Sequence, residues 1–248
     1  SASSRRDSRI WRAQGKLSER VPASAEGRKF MAVKPCALQG LGEALTQFRC
    51  DIAAAIRQFR FLWERGSEKE LFAELCFCLL TPQSKAQSCW RAVERLRENG
   101  LLMAGTAAQI AKHLHGVRFA NTKARNIVQA RALFAPGGKL QVRPLLQRLA
   151  SPQQMRLWLV ENVRGMGMKE ASHFLRNIGV GLELAILDRH LLRAMAQLGV
   201  IAEVPKTLTR RQYCELEKAF QALAAQLGVL PAELDLAIWA SATGVVFK

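Results

Sequence analysis

Paired cysteines of the kind that bind metals are missing from this sequence. None of its six cysteines belongs to a Cys-x-x-Cys motif or accompanies a pair of histidines; they stand at positions 36, 50, 76, 78, 89 and 214. Structural zinc sites and iron–sulfur clusters need closely spaced ligands, so we predict no metal and no cofactor. Cys76 and Cys78 fall in an apolar helical stretch and are expected to be buried. Scattered free thiols fit a reducing compartment inside the cell.

Long hydrophobic stretches and strand-like alternation are also missing. The longest apolar runs, such as "LCFCLL" at residues 75–80, are far shorter than the ~20 residues that cross a bilayer. No signal-peptide core is visible near the start, so no membrane partner is expected. No segment of any length alternates between apolar and polar residues, and there is no internal repeat. Almost everything after residue 40 has helical periodicity instead.

Acidic residues are scarce relative to basic ones. The 248 residues include 37 Lys and Arg but only 20 Asp and Glu, which gives a net charge of +17. Residues 1–35 hold nine basic and three acidic residues, so residues 36–248 keep 28 basic against 17 acidic, or +11. A basic folded part predicts a polyanionic partner, most commonly nucleic acid. The alternative is a protein that is basic throughout for reasons unrelated to a partner.

The first 35 residues differ in composition from the rest. They are rich in Ser and Arg and show no hydrophobic period, which predicts a disordered basic extension. Met31 would then be the natural start of the folded protein; a transit peptide is the functional alternative. The expected location is the cytoplasm, at the nucleoid of a prokaryote, or an organelle or the nucleus if the extension is a targeting sequence. Residues 36–248 are expected to fold.

Capping residues mark where several predicted helices begin. Ser67 and Glu70 form a capping box ahead of "LFAELCFCLL". Ser151 is placed to cap a helix whose first residue is Pro152, where a missing N–H costs nothing. Another helix is expected to start at Asn121. The sequence therefore predicts an all-α fold of about ten helices.

Two of these helices are joined by a four-residue turn, "RGMG" at residues 164–167. Both flanking segments, "MRLWLVENV" and "MKEASHFLRNIG", have helical periodicity, so the turn predicts a helix–hairpin–helix. Gly165 and Gly167 permit a positive φ and the close approach of another backbone. The N–H groups that open the second helix could hold a phosphate, next to the charge of Arg164. Proteins also use such a turn simply to pack two helices.

Lys169 occupies an unusual place in the second of these helices. An ammonium group is disfavoured in a first turn, because the helix dipole already puts positive charge there. The apolar face of the helix comprises Ala171, Phe174, Leu175 and Ile178, which leaves Lys169 at the rim of that face, beside a cleft. Partial burial and the dipole would favour the neutral amine, a nucleophile able to form a Schiff base. The alternative is a solvated lysine that contacts phosphate.

Asp188 follows the apolar segment "LAIL" and precedes the helical segment "RHLLRAMAQLG". This position predicts an N-cap, in which backbone N–H groups keep the carboxylate ionised. A cap is a structural role that stabilises a helix by about 1 kcal/mol. A carboxylate held in this way at the edge of a cleft can also stabilise a developing cation or direct a proton.

A resemblance to a known family is carried by three segments, "GMGMKEASHFLRNIG", "AILDRH" and "DLAIWASATGVVFK". They resemble the helix–hairpin–helix DNA glycosylases, and most closely the small archaeal and bacterial 8-oxoguanine DNA glycosylase/AP lyases, from about residue 40 to the C-terminus. The resemblance implies a glycosylase domain at 36–248, with two helical lobes and a cleft between them. The hairpin would lie at 164–168 and the aspartate-bearing loop at 179–188. The missing iron–sulfur cysteines argue against the endonuclease III branch.

The resemblance implies a bifunctional base-excision-repair enzyme. Lys169 would attack C1′ of the damaged nucleotide, displace 8-oxoguanine and form a Schiff base, after which β-elimination cuts the strand. Asp188 would stabilise the oxocarbenium-like sugar and help Lys169 to reach its neutral form. Both steps need the base flipped out of the duplex.

The resemblance also implies residues that recognise the base and the duplex. Lys248 would help to distinguish 8-oxoguanine from guanine, and Trp239 and Phe119 would stack on the flipped base. Gln83 would fill the space that the base leaves. The alternatives are core packing for the two aromatic residues, an ordinary charged terminus for Lys248 and a plain helix–helix loop for Gln83. The residues expected to contact DNA are Arg164, Gly165, Gly167, Gln83, Arg189 and His190.

The expected partner is double-stranded DNA that contains 8-oxoguanine, bound by a monomer because no heptad seam is evident. Two other functions remain open. A noncatalytic helix–hairpin–helix protein would bind DNA with steep salt dependence and release no base, but it leaves the pairing of Lys169 with Asp188 unexplained. A glycosylase for another oxidised or alkylated purine would keep the chemistry and change the lesion.

Overall fold

The computed structural model describes residues 35–248, which contain thirteen α-helices and no β-strand. The helices are α1 (Pro35–Gln47), α2 (Arg49–Arg65), α3 (Glu68–Leu80), α4 (Ala86–Glu98), α5 (Leu101–Ala104), α6 (Ala107–Lys112), α7 (Ala120–Phe134), α8 (Val142–Leu146), α9 (Pro152–Asn162), α10 (Met168–Asn177), α11 (Arg189–Gln197), α12 (Arg210–Gln226) and α13 (Pro231–Thr243). The all-α prediction is confirmed. More helices are present than the ten expected, because three of them have only four to six residues. The prediction for residues 1–35 lies, apart from Pro35, outside the described residues.

The predicted capping residues begin the helices that the sequence assigns to them. Ser67 Oγ accepts a hydrogen bond from the Glu70 N–H at 3.3 Å, and Glu70 Oε2 accepts one from the Ser67 N–H at 2.7 Å. Ser151 Oγ accepts from the Gln154 N–H at 3.2 Å. Helix α7 departs from the prediction, because it starts one residue early, directly after Phe119, which has a φ of 59° and no side-chain cap.

Two hydrophobic cores divide the described residues into two lobes. The first core lies within α3–α10, and it surrounds α3 so completely that every residue from 71 to 80 is buried, Cys76 and Cys78 included. The second core brings the first described helix, α1, together with α11–α13. A smaller cluster of α1, α2 and α13 residues joins the lobes. The second lobe is therefore built from both ends of the described chain.

A buried ion pair fixes the helix–hairpin–helix against the second lobe. Arg156 of α9 donates to both carboxylate oxygens of Glu217 in α12, at 2.6 and 2.8 Å, and the two side chains are 3% and 6% exposed. Arg156 also donates to Ser172 Oγ of α10 at 3.1 Å, and Glu217 accepts from the Ala185 N–H at 2.9 Å. These bonds compensate for the burial of two charges. They set the hairpin and the loop after α10 in one position.

The lengths and hydrophobicity of the helices bear on whether the described chain could cross a membrane. No single helix among residues 35–248 is long and apolar enough to cross a membrane. Helices α12 and α13 satisfy the length and composition criteria only when taken as a pair, and they are bent by 88° at the break between them. Both contribute buried residues to the second core.

Candidate active site

The hairpin between α9 and α10 depends on a glycine at one position. Gly165 has a φ of +86°, and a Cβ at this position would collide with the side chain of Asn126. Gly167 has an extended backbone (φ −96°, ψ −177°), so of the two glycines that permit a positive φ only Gly165 adopts one. The Gly167 N–H donates to Glu170 Oε2 at 3.2 Å. One of the N–H groups expected to hold a phosphate is thus capped by the helix itself, while Arg164 is exposed.

The loop at residues 179–187 ends at the predicted aspartate and is held by Tyr213, the only tyrosine of the chain. The Tyr213 hydroxyl donates to the Ala185 carbonyl at 2.7 Å and accepts from the Leu187 N–H at 3.2 Å. Asp188 then caps α11, since its Oδ1 accepts from the Leu191 N–H at 2.8 Å. The predicted N-cap is confirmed, and the carboxylate has a fixed direction.

A cavity of about 190 Å³ lies between the two lobes. Its walls come from the first lobe, from the loop after α10 and from α11, α13 and the C-terminal residues. The predicted site residues that line it are Lys169, Asp188, His190, Trp239 and Lys248. The six other predicted residues do not line it: Phe119, Gln83, Arg164, Gly165, Gly167 and Arg189. The structure therefore brings the proposed nucleophile, the carboxylate and one aromatic ring to the same cleft.

The amine of Lys169 is engaged by its sequence neighbour. Its Nζ lies 3.0 Å from Glu170 Oε1 and 3.5 Å from Thr81 Oγ1, and its side chain is 24% exposed. The amine therefore has a direct acidic partner in addition to its place in the first turn of α10. Glu170, which sequence reasoning overlooked, thus pairs with Lys169 through one oxygen and caps Gly167 through the other.

Arg176 and Asp235 add a second charged pair to the cavity wall. Arg176 Nη1 lies 3.7 Å from Asp235 Oδ2, and the arginine side chain is only 3% exposed. Burial raises the pKa of Asp235 to about 6 and lowers the pKa of Arg176. Sequence reasoning missed both residues. The available signal was that Arg176 belongs to the same "KEASHFLRN" string as Lys169 and that Asp235 lies one helical turn before Trp239.

Unpaired nitrogen atoms are concentrated around this cavity. Nε2 of His173, Nε2 of His190 and both Nε and Nη1 of Arg176 are buried, with no hydrogen-bond partner in the part of the chain described. All three residues line the cavity. Burial, together with the charges of Arg176 and Lys169, lowers the pKa of His173 well below its ordinary value. Because buried polar atoms are normally paired, this wall is equipped to bind a polar ligand.

The ammonium group of Lys248 is held inside the protein. Its Nζ lies 2.6 Å from Glu74 Oε1 and 3.0 Å from the centroid of the Trp90 ring. Glu74 is 5% exposed, and its other oxygen accepts from Asn177 Nδ2 at 3.1 Å. Lys248 is therefore an anchor for the end of the chain and not a free charge. Lys248 lines both this cavity and a larger open groove of about 590 Å³, which Glu74 also lines and which contains neither Lys169 nor Asp188.

The predicted residues outside the cavity lie on exposed loops and helix ends. Gln83 is exposed, and Phe119 is 57% exposed, which excludes core packing for this ring. Arg118 lies over the Phe119 ring at 5.4 Å. Arg189 is exposed, but its guanidinium donates to the Pro205 carbonyl at 2.9 Å. Trp239 is partly buried and packs edge-on against His190, with ring centroids 5.3 Å apart.

Comparisons with known proteins point in one direction. A family model described as 8-oxoguanine DNA glycosylase matches residues 52–229. An 8-oxoguanine DNA glycosylase/AP lyase from Fusobacterium nucleatum is 40% identical over 193 residues, which are 78% of this chain and 89% of that protein. The 8-oxoguanine DNA glycosylase of Thermotoga maritima has a TM-score of 0.77 at 34% identity, covering 85% of this chain and 98% of its own. The Methanocaldococcus jannaschii 8-oxoguanine glycosylase/lyase, solved with a 15mer DNA containing 8-oxoguanine, has a TM-score of 0.78 at 31% identity, covering 86% and 100%.

Proposed function

The chain belongs to the 8-oxoguanine DNA glycosylase family, and we propose that it carries out the family's reaction with Lys169 as nucleophile and Asp188 as its carboxylate partner. The protein removes 8-oxoguanine from DNA and is an AP lyase. One observation supports the residue assignment above all others. Lys169 from α10 and Asp188 from the start of α11 line the same interlobe cavity, where a flipped-out nucleotide can reach both.

The reaction requires a neutral amine at Lys169. The lysine nitrogen then bonds to C1′ while the C1′–N9 bond breaks, and the base leaves with that electron pair. Opening of the sugar ring gives a Schiff base, loss of a C2′ proton follows, and the C3′–O bond breaks. Asp188, fixed by its cap bond to the Leu191 N–H, stabilises positive charge that develops on the sugar. The ion pair between Lys169 and Glu170 has to open first.

The cavity wall suits a base of the guanine type. Guanine presents an acceptor at O6 and a donor at N2. Arg176 can donate to such an oxygen, because its Nε and Nη1 make no hydrogen bond within residues 35–248. Asp235 lies beside it and can accept from N–H groups once it is ionised. The Trp239 indole, against His190, provides a stacking face.

DNA in the double-stranded form is the partner, and we propose that a single copy of the chain binds it. Phe119 and Gln83 would contact the duplex outside the cavity, together with Arg164, Gly165, Gly167 and Arg189. His190 would contact it from the cavity wall. The net charge of +11 on residues 36–248 supplies attraction for phosphates. We propose that the protein acts at the cellular DNA, in the cytoplasm of a prokaryote.

Reductive trapping tests the proposed nucleophile. Borohydride added during reaction with 8-oxoguanine duplex should give a covalent protein–DNA complex, because it reduces a Schiff base to a stable amine. Lys169→Gln should abolish trapping, and Lys218→Gln, which removes an exposed lysine, should trap like the native protein. Efficient trapping by Lys169→Gln would show that another amine is the nucleophile.

A release assay separates this function from its alternatives. Duplexes that carry different oxidised or alkylated purines are incubated with the native protein, and the free bases are measured. Preferred release of 8-oxoguanine is expected. Release of another purine in preference would change the lesion but keep the chemistry, whereas salt-dependent binding without release of any base would identify a noncatalytic DNA-binding protein.

A further inference from the structure

Lys123 is a buried lysine whose ammonium group has three oxygen partners. Only 4% of the residue is exposed. Its Nζ lies 2.7 Å from the carbonyl oxygens of Leu80 and Pro82 and 3.1 Å from the hydroxyl of Ser84. An ammonium group has three hydrogens to donate, so a single short loop uses all of them. Burial lowers the pKa of Lys123, and the three bonds offset the cost of removing the charge from water.

The same residue connects this loop to a second one. The backbone N–H of Lys123 donates to the Phe119 carbonyl at 3.0 Å. The Ser84 hydroxyl, which accepts from Lys123, also accepts from the backbone N–H of Arg118 at 3.0 Å. Residues 81–84 and 116–119, here called the paired loops, are therefore joined through Lys123 and Ser84.

Each of the paired loops carries a residue in an unfavourable backbone conformation. Within residues 35–248, Gln83 (φ 55°) and Phe119 (φ 59°) are the two non-glycine residues with a positive φ. Residues with a side chain keep such left-handed conformations only when the surrounding contacts enforce them. Both side chains are exposed, so they are not needed to fill the core. One buried cation thus holds together two exposed residues with strained backbones. Such strain points to a function of the paired loops.

The family resemblance implies that Gln83 fills the space left by the flipped base. We propose that Lys123 is the positioning residue for this step, because it fixes the paired loops as one rigid wedge, with Gln83 and Phe119 at its tip, while the damaged base turns out. The inference rests on the proposed function, because it concerns the base extrusion that excision requires. An exposed ring can stack on a neighbouring base, and an amide can satisfy groups left unpaired. In this arrangement Phe119 contacts the duplex and not the flipped base.

The paired loops are also linked to the nucleophile. Thr81, in the same loop as Gln83, has its hydroxyl 3.5 Å from Lys169 Nζ. The Ser84 N–H donates to the Thr81 carbonyl at 3.0 Å, which closes this loop as a turn. A wedge held by Lys123 therefore keeps a constant distance from Lys169. Insertion of the tip would then open the base stack at a fixed distance from the amine.

The contribution of Lys123 to base extrusion can be measured separately from catalysis, because a duplex with an abasic site has no base to extrude. Lys123→Met removes the ammonium group and keeps most of the side-chain volume. Single-turnover rates are measured on a duplex with 8-oxoguanine and on the same duplex with a preformed abasic site. We expect base excision to fall about tenfold and strand cleavage at the abasic site to stay within about twofold of native. Lys112→Met, which removes an exposed charge, should stay within about twofold on both substrates.

Two outcomes would overturn the positioning role of Lys123. Equal losses on both substrates, with a lowered melting temperature, would mean that Lys123 only stabilises the fold. Unchanged rates on both would mean that the paired loops need no cation. If Lys123→Met does not fold, Ser84→Ala decides, because it removes the shared acceptor and leaves both carbonyl partners of Lys123 in place. A selective loss of excision, of about threefold, is expected from Ser84→Ala, and its absence overturns the proposal.

A fluorescent base separates failure of this inference from failure of the proposed function. 2-Aminopurine placed next to the lesion brightens when its neighbour leaves the stack, and the Lys169→Gln background blocks the chemistry. Adding Lys123→Met to that background should reduce the increase in fluorescence. An equal increase in both backgrounds rules out the positioning role. Failure of the native protein to release 8-oxoguanine rules out the proposed function, whatever the fluorescence shows.

Discussion

The ammonium group of Lys248 lies 2.6 Å from the Glu74 carboxylate and 3.0 Å from the centre of the Trp90 ring. The last residue of the chain is thereby fastened to α3, the most deeply buried helix of the first lobe. Since Lys248 also lines the cavity, this fastening shapes the place where the base is expected to bind. A predicted recognition residue is thus itself positioned by a buried acid.

Glu74→Gln should release the Lys248 side chain. The amide can still accept from Asn177, but it gives Lys248 no opposite charge, so the ammonium group becomes more mobile in the cavity wall. We expect the ratio of 8-oxoguanine to guanine release to fall several-fold in the variant. Glu233→Gln in α13, which leaves Glu74 intact, is the control. An unchanged ratio in Glu74→Gln would contradict the anchoring role.

Glu217→Ala should be strongly destabilising. It leaves Arg156 buried without its partner, and removal of one member of a buried pair typically costs about 3–5 kcal/mol. Glu215→Ala, on the same helix, breaks an ion pair whose arginine is 75% exposed and should cost less than about 1 kcal/mol. Urea denaturation measures both free energies of unfolding. Similar losses in the two variants would show that the buried pair does not hold the hairpin.

Glu170→Gln should speed formation of the Schiff base. The amide can still accept from the Gly167 N–H but no longer holds the Lys169 amine in an ion pair, so the nitrogen is freer to reach C1′. Borohydride trapping at a fixed pH should be several-fold faster than native. Glu161→Gln, at an exposed acid of α9, should trap like the native protein. Slower trapping by Glu170→Gln would mean that this carboxylate is needed to carry a proton.

Asp235 should make stability depend on pH in a defined direction. Its pKa is raised by burial from 3.8 to about 6, so its contribution to the free energy of unfolding is fully present below about pH 3.8 and is lost as the pH rises through 6. The stability of the native protein relative to Asp235→Asn should therefore decrease between about pH 4 and 6 and level off above. His173 has the opposite dependence, because its pKa is lowered, but it is common to both proteins and cancels. A difference that stays constant from pH 4 to 7 would contradict this assignment.

Helix starts and the hairpin could be predicted because their signals are local. A capping box lies within four residues, and the bonds at Ser67 and Glu70 are those that the sequence indicates. Asp188 is an equally local case, since its partner N–H is three residues away. Both hairpin glycines were expected to permit a positive φ, and Gly165 adopts one. Gly167 is extended instead, with its N–H bound to the Glu170 carboxylate.

The remainder of the site could not be predicted, because it depends on distant contacts. Lys248 and Glu74 are 174 residues apart in the sequence, and no periodicity in either segment indicates that they meet. Asp235 and Arg176 likewise come together only when α13 packs against the first lobe. The pairing of Lys169 with Glu170 was not predicted for another reason. Adjacent helical residues usually point in different directions, so nothing in the sequence suggested that these two side chains would meet.

Glu170 touches both the nucleophile and the turn in front of it, because one carboxylate oxygen lies 3.0 Å from Lys169 Nζ and the other accepts from the Gly167 N–H. Any change at residue 170 therefore perturbs the amine and the hairpin together. Of the possible replacements, the amide keeps the bond to the backbone and removes the charge, so it is the one that tells the two contributions apart.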